Sequence, residues 1–344
     1  MAADGYRVGV LGATGLVGST ILELLATRNF PAREIVPFAS ERSAGKEIEW
    51  EGKALTCQTL SEDSIQGLDL VLSSAGGSIS AEWTPKLVEA GATVVDNTSY
   101  WRMHDDVPLV VSEVNPDALA GHNGIIANPN CSTMQMVVAL KPLYDAAGIE
   151  RLVVSTYQAV SGTGKAAIDE LRTQAQALVS GNVMPEPQIY PHQIAFNVLA
   201  HAGNFPEGDD HTDEERKLIN ETRKILGDPE IKVSATCVRV PVITGHSEAV
   251  NVETREALSP EQARELLEAA PGVTVVDDPA AGRYPMAIDA AGKDDVYVGR
   301  IRRDAGNERA LDIWVVSDNL RKGAATNTVQ LGEQLIERGL LTRG

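Results

Sequence analysis

Two rhythms of apolar residues divide this chain. Up to residue 128, compact apolar runs alternate with stretches in which apolar residues return every three or four places. The run 6–11 reads as a strand, and Leu16, Val17, Ile21, Leu24 and Leu25 then recur at helical spacing. Further strands are predicted over 34–39, 68–73, 92–96 and 124–127, with a helix closing at Ala90. Strands and helices alternating in this way imply an α/β protein with an N-terminal Rossmann-type, doubly wound parallel sheet.

After residue 128 the rhythm changes. Met134, Val137, Val138, Leu140, Leu143 and Tyr144 lie at helical spacing, and a strand over 152–160 places Val154, Thr156, Gln158 and Val160 on one face. A helix over 166–178 precedes a Pro-rich, polar stretch, 182–204, that reads as irregular. An acidic loop, 207–213, leads into a helix over 214–226 with Glu214 and Glu215 in its first turn, where the helix dipole favours acids. Along 231–240, Ile231, Val233, Ala235, Cys237 and Arg239 share a strand face. A strand follows over 249–253. The helix over 259–269 carries Ser259 as N-cap, Pro260 at the first position and Gln262 completing a capping box. Strands over 296–302 and 311–316 precede a last helix, opened by 318–325 and running to 336, that is expected to cover the first sheet. The predicted domains are 1–128, joined by the C-terminal helix 324–344, and 129–323.

Candidate chemistry sits at the joints of this pattern. The first strand runs straight into Gly12-Ala13-Thr14-Gly15-Leu16-Val17-Gly18 and then a helix. Glycines at such a turn let the backbone approach a pyrophosphate, and the helix N-terminus holds its charge. The spacing is G-x-x-G-x-x-G rather than G-x-G-x-x-G. The tip of the second strand offers Ser40, Arg42, Ser43 and Lys46 beside Glu41, a set that suits the 2′-phosphate of NADP. Cys131, in Asn128-Pro129-Asn130-Cys131-Ser132-Thr133, lies where a loop enters a helix, with Ser132 or Thr133 as N-cap. A helix N-terminus favours thiolate, as a nucleophile requires, whereas a lone cysteine also serves as a small core filler. Arg102, between Trp101 and Met103, fits an anion ligand and a surface residue equally. Arg239, ending an apolar face, calls for either an anion in a cleft or a structural carboxylate partner. His246 follows Gly245 at a turn near it, as a loop residue or as part of the same site.

Charge narrows the partners. The 344 residues carry a net charge of −18, which argues against nucleic acid and anionic membranes. Three sparse cysteines form neither a disulfide framework nor a metal-binding spacing, so no metal is expected. No run is long and apolar enough for a membrane span, and the N-terminus has no signal-peptide layout, so the expected location is cytoplasmic.

Together GATGLVG, ASERSAGK, NPNCST, YQAVSGTG, EERK, RVPVITGHSE and DNLRKGAATN resemble the bacterial-type aspartate-semialdehyde dehydrogenases over essentially the whole chain. The resemblance implies an α+β second domain with a mixed sheet, carrying catalysis and a homodimer contact. It implies Cys131 as the acyl-carrying nucleophile, His246 as acid/base and Gln158 as the substrate-orienting amide. Arg239 would clasp the substrate carboxylate, Glu214 its amino group, and Arg102 with Lys217 the phosphate, with Asn130 a further substrate contact. NADP would lie on Gly12, Thr14, Gly15, Leu16, Val17, Ser40, Arg42 and Ser43, with Ser161, Gly162 and Asn319 completing its site. The implied reaction is NADPH-dependent reduction of L-aspartyl 4-phosphate to L-aspartate 4-semialdehyde through a thioacyl enzyme. It serves lysine, diaminopimelate, threonine, methionine and isoleucine biosynthesis. Three other readings compete: N-acetyl-γ-glutamyl-phosphate reductase, whose acylated substrate has no ammonium for Glu214; glyceraldehyde-3-phosphate dehydrogenase, which prefers NAD and would leave Arg239 without an α-carboxylate; and a non-catalytic NADP sensor, which needs none of the Cys131, Gln158, Arg239 and His246 set.

Overall fold

The computed structural model describes residues 5–341. They form two compact units, one holding the chain up to Asn130 together with Ala324 onward, the other Cys131–Gly323.

The first unit contains β1 (Tyr6–Leu11), α1 (Leu16–Thr27), β2 (Ala32–Phe38), β3 (Glu47–Trp50), β4 (Lys53–Thr56), β5 (Leu70–Ser73), α2 (Gly77–Glu89), β6 (Thr93–Asp96) and β7 (Ile125–Ala127). Its five-stranded sheet has the order β2-β1-β5-β6-β7, with every pair parallel. Both faces are buried, as the near-continuous apolar strands require. Val8, Val10, Leu70 and Leu72 pack with Ile21 and Leu25 of α1 and with Val329 and Leu335 of the C-terminal helix Asn327–Glu337. Leu11, Phe38, Val71 and Val94 pack with Leu87 of α2. The chain leaves β1 for β2 on one side and returns to β5 on the other, so the glycine turn after β1 sits at the topological switch point. Hairpin β3–β4 was not predicted. Its signal is Glu51-Gly52, both at positive φ, between strands that carry Ile48, Trp50 and Leu55.

The second unit contains α3 (Cys131–Ala147), β8 (Ile149–Gln158), α4 (Lys165–Ser180), α5 (Asp213–Leu226), β9 (Lys232–Arg239), β10 (His246–Thr254), α6 (Pro260–Glu268), β11 (Val273–Val275), α7 (Ala287–Ala290), β12 (Val296–Arg303) and β13 (Ala310–Ser317). Its six-stranded sheet has the order β11-β12-β13-β10-β8-β9 and is mixed, since β11–β12 and β8–β9 are parallel and the other pairs antiparallel. One face is covered by α3, α5 and α6. Every residue of α3 from Ser132 to Leu140 is buried.

Four expectations are corrected. The helix starts at Cys131, so Ser132 and Thr133 lie inside its first turn and Asn130 takes the cap position. Ser132 stands inside the helix rather than before it, and its buried hydroxyl accepts from Gln158 Nε2 at 2.9 Å. His246 is not a turn residue but the first residue of β10, laddered to Ser317. Val160 has left its strand for a 3-10 turn, Val160–Thr163. The last helix begins only at Asn327, after a π-helical stretch, Arg321–Thr326, and residues 342–344 lie outside those described. Among the described residues no helix is long and apolar enough to cross a membrane.

Candidate active site

The glycine turn of the first unit opens on a cavity of about 700 Å³ lined by Gly12, Thr14, Gly15, Ser40, Glu41, Arg42, Ser74 and Ala75, among others. Gly12 has φ +76°, and a Cβ there would lie 2.5 Å from the Ser74 carbonyl oxygen. At Gly18 a Cβ would lie 2.1 Å from the Gly12 oxygen, so the helix can pack on the turn only without a side chain. Leu16 and Val17 open α1, whose first amides have no intrahelical acceptor and can meet a phosphate. Arg42 and Ser40 stand at the far end of the cavity, on the 3-10 turn Glu41–Ser43 that Ser43 closes through N–H donation to the Ser40 oxygen. These residues fit a dinucleotide carrying a 2′-phosphate.

Beyond β6, Asp96 accepts from Thr98 N–H and Ser80, shaping the 97–103 loop. Arg102 is buried on this loop rather than on the surface, and its Nη2 donates to the Asn97 oxygen at 2.9 Å. Asn128 is a brace. It donates to Asn97 Oδ1 and accepts from Asn327 Nδ2, each at 2.6 Å.

In the second unit the reactive groups gather where adjacent strands end together. Gln158 ends β8 opposite Arg239, the last residue of β9, and His246 opens β10 on the other flank. Gln158 is buried, and its Nε2 lies 2.9 Å from Ser132 Oγ, 3.3 Å from Thr156 Oγ1 and 3.3 Å from Glu214 Oε1. It thereby ties the first turn of α3 to the sheet and to α5. Gly323 passes close by, since a Cβ there would sit 2.8 Å from that of Cys131.

Helix α5 is held by a capping box in which Thr212 is the cap and Glu215 the reciprocal acid. Glu215 also accepts from Cys237 N–H of β9 at 3.0 Å, which fixes where Glu214 and Lys217 stand. Those two share a face and form an ion pair at 3.1 Å, with Asp213 3.7 Å from the same ammonium.

Arg239 is 6% exposed, and among the described residues no carboxylate forms a salt bridge with it. Its Nη1 donates to the Ala159 oxygen at 2.8 Å, while its buried Nε has no hydrogen-bond partner. This removes the structural ion pair as an explanation. His246 is fully buried. Its Nδ1 accepts from Ala159 N–H at 3.0 Å, and Nε2 has no partner. Burial, with the Arg239 guanidinium adding to it and Glu214 opposing, pushes the imidazole down to about 3. A Cβ on Gly162 would lie 3.2 Å from Arg239 Nη1 and 3.3 Å from His246 Nε2, so any side chain there would crowd both groups. Ser161 and Asn319 hydrogen-bond each other, and Asn319 Oδ1 also accepts from Gly245 N–H at 2.9 Å.

Sequence reasoning did not find Ala159, whose one peptide unit on each side pins Arg239 and His246. A backbone role has no residue-type signature. It also missed the order within 182–204. There Glu170 accepts from the amides of Gln188 and Ile189, Gln174 Oε1 from those of Ile194 and Ala195, and Leu199 pairs with Arg239. Tyr190 OH meets Thr163 Oγ1 at 2.9 Å beside this cluster. None of the three cysteines is disulfide-bonded, and burial pushes the Cys237 and Cys57 thiols up, which leaves Cys131 as the reactive candidate.

Two family models match the chain: the NAD-binding domain of semialdehyde dehydrogenases over residues 7–122, and their dimerisation domain over 140–322. The chain is 57% identical to the aspartate-semialdehyde dehydrogenase of Aquifex aeolicus, covering 98% of this chain and 100% of that one. It is 48% identical to that of Bacillus subtilis, covering 98% and 99%. Among solved structures, aspartate semialdehyde dehydrogenase II of Vibrio cholerae complexed with ASA superposes with a TM-score of 0.93 at 47% identity, covering 97% and 99%. The Candida albicans enzyme with NADP superposes with a TM-score of 0.73 at 28% identity, covering 98% and 100%.

Proposed function

The chain belongs to the aspartate-semialdehyde dehydrogenase family, and on that premise we infer the part each residue plays in a cytoplasmic, homodimeric enzyme. The reaction is NADPH-dependent conversion of L-aspartyl 4-phosphate to L-aspartate 4-semialdehyde and phosphate, through a cysteine thioacyl intermediate, in the aspartate pathway of amino-acid biosynthesis. The observation that carries the residue assignment is Arg239, a buried guanidinium with an unpartnered Nε beside an equally unpartnered His246 Nε2. A buried cation lacking a carboxylate is costly unless an anion completes it. The substrate α-carboxylate is that anion.

In this reading Cys131, heading α3, attacks the acyl phosphate, and the C–O bond to phosphate breaks as the C–S bond forms. Arg102 and Lys217 hold the phosphate, Glu214 the substrate ammonium, and Asn130 and Gln158 orient the acyl group. Lys217 and Glu214 neutralise each other here, so each exchanges one partner when substrate binds. The glycine turn would hold NADPH, with Ser40, Arg42 and Ser43 meeting its 2′-phosphate, and the bound cofactor would supply the hydride. The resemblance assigns Ser161, Gly162 and Asn319 to the same cofactor. The homodimer contact belongs to the second unit, where Tyr157, Tyr284 and Met286 are exposed.

The deciding assay follows phosphate-dependent NADP reduction by the size-fractionated dimer. L-Aspartate semialdehyde should be oxidised at least ten times more efficiently than N-acetyl-glutamate semialdehyde or glyceraldehyde 3-phosphate. A preference for the acylated substrate would remove Glu214 from its role. A monomeric active peak would remove the homodimer.

A further inference from the structure

We propose that Asn128 is a positioning residue for the guanidinium of Arg102, acting through Asn97, and that Asn327 on the C-terminal helix sets the direction of that link. This rests on the reading that Arg102 holds the transferring phosphate.

The residues meet at the carboxyl edge of the first sheet. Asp96 and Ala127 pair at the ends of β6 and β7, so Asn97 and Asn128 are the next residues of two adjacent strands. The Asn128 N–H extends the ladder by donating to the Asp96 oxygen at 2.8 Å. That brings the two side-chain amides together, and Asn128 Nδ2 donates to Asn97 Oδ1 at 2.6 Å.

A carboxamide keeps its shape when turned over, so its direction must be set by its neighbours. Asn327 is fully buried and has only one direction open to it. Its Oδ1 accepts from the Ser112 N–H and its Nδ2 donates to the Val110 oxygen, each at 2.9 Å. A backbone N–H can only donate and a backbone carbonyl can only accept. The same Nδ2 donates to Asn128 Oδ1 at 2.6 Å, which leaves Asn128 Nδ2 facing Asn97. Asn128 is also fully buried, and turned over it would set its own NH2 against that of Asn327 in the interior, at the cost of an unmet buried donor.

Asn97 is in turn where Arg102 is held, since its backbone oxygen accepts from Arg102 Nη2 at 2.9 Å. A planar guanidinium swings as a unit, so a shift of this one acceptor re-aims the whole fork. The rest of the loop has a separate anchor. Asp96 accepts from Thr98 N–H at 2.7 Å, from Thr98 Oγ1 at 2.6 Å and from Ser80 Oγ at 2.6 Å, and Ser80 accepts from Trp101 Nε1 at 2.9 Å. This anchor holds Thr98 and Trp101 without help from Asn128. Removing the amide at 128 therefore keeps the loop in place and loosens the one residue whose carbonyl holds Arg102.

The test is steady-state kinetics of the intact enzyme in phosphate-dependent semialdehyde oxidation, with phosphate and L-aspartate semialdehyde varied separately. Asn128→Ala should raise the phosphate KM about five- to tenfold, the scale of one lost hydrogen bond, and leave kcat and the semialdehyde KM within about twofold. Asn97→Ala, at a half-buried position, removes the side-chain acceptor but keeps the backbone oxygen, and should act alike. It keeps the proposal open to refutation if the Asn128 variant folds poorly. On an Arg102→Leu background neither change should raise the phosphate KM further, because the group it positions is gone. An unchanged phosphate KM, parallel changes in kcat or in the semialdehyde KM, or full additivity with Arg102→Leu would overturn the proposal. Failure of the underlying reading looks different: Arg102→Leu alone would leave the phosphate KM unchanged, and the proposal would fall with it.

Discussion

Arg239 offers a planar fork at the end of β9, and the carboxylate assignment proposed for it rests on that geometry as well as on its charge. Arg239→Lys keeps the cation but loses the second parallel hydrogen bond and the contact to the Ala159 oxygen. Hydrogen bonds to charged groups are worth about 1.5–3 kcal/mol, so kcat/KM for the semialdehyde should fall roughly 10- to 100-fold. A folded Lys variant with wild-type kcat/KM would refute the carboxylate assignment. Glu248, two residues beyond His246 on the same strand face, is fully buried, and burial raises its pKa well above the usual carboxylate range, opposed by the Gln135 amide. The folded chain therefore binds a proton here that the unfolded chain releases above its ordinary value of 4.5. That contribution to stability is present below 4.5 and is lost as pH rises toward the folded value. Glu248→Gln cannot ionise, so its stability relative to wild type should improve from pH 5 to pH 8 in urea titrations. A constant difference across that range would mean the carboxyl is not held neutral. Neither residue's setting could be read from sequence alone: Arg239 showed only as an end to an apolar face, and Glu248 fell just outside the strand predicted over 249–253.

Elements were legible where their signals are local. The capping box Ser259–Gln262, the glycine turn after β1 and the amphipathic spacing of α1 all read directly, because each depends on residues within a few positions of one another. The start of α3 was misplaced because Ser132 looks like a cap but lies inside the helix, where its hydroxyl also meets Gln158, a partner 26 residues away. The start of β10 was misplaced for a related reason. Gly245 at φ +97° resembles a turn, yet His246 enters the ladder at once by pairing with Ser317, which sequence spacing cannot foresee. The stretch 182–204 has neither period. Its order comes from Glu170 and Gln174 on α4 collecting its backbone amides, a long-range device with no repeating pattern.

At the scale of the whole molecule, alternation was enough to imply the parallel sheet of the first unit, since that topology follows from consecutive strand–helix units. The second sheet was reachable only through family resemblance. Its strand order places β10 between β8 and β13, and those pairings join segments far apart in the chain. The same sheet supports α3, whose residues from Ser132 to Leu140 are all buried, with Cys131 at its head. Few routes exist for water to reach those amides without dismantling the surroundings, so their isotope exchange is governed by near-global opening. In hydrogen-exchange mass spectrometry this segment should be among the slowest of the chain, far slower than the half-exposed α4, and comparable rates in the two would refute it. Within the lifetime of a turnover the sulfur then has a fixed address, and it is the ligands that travel.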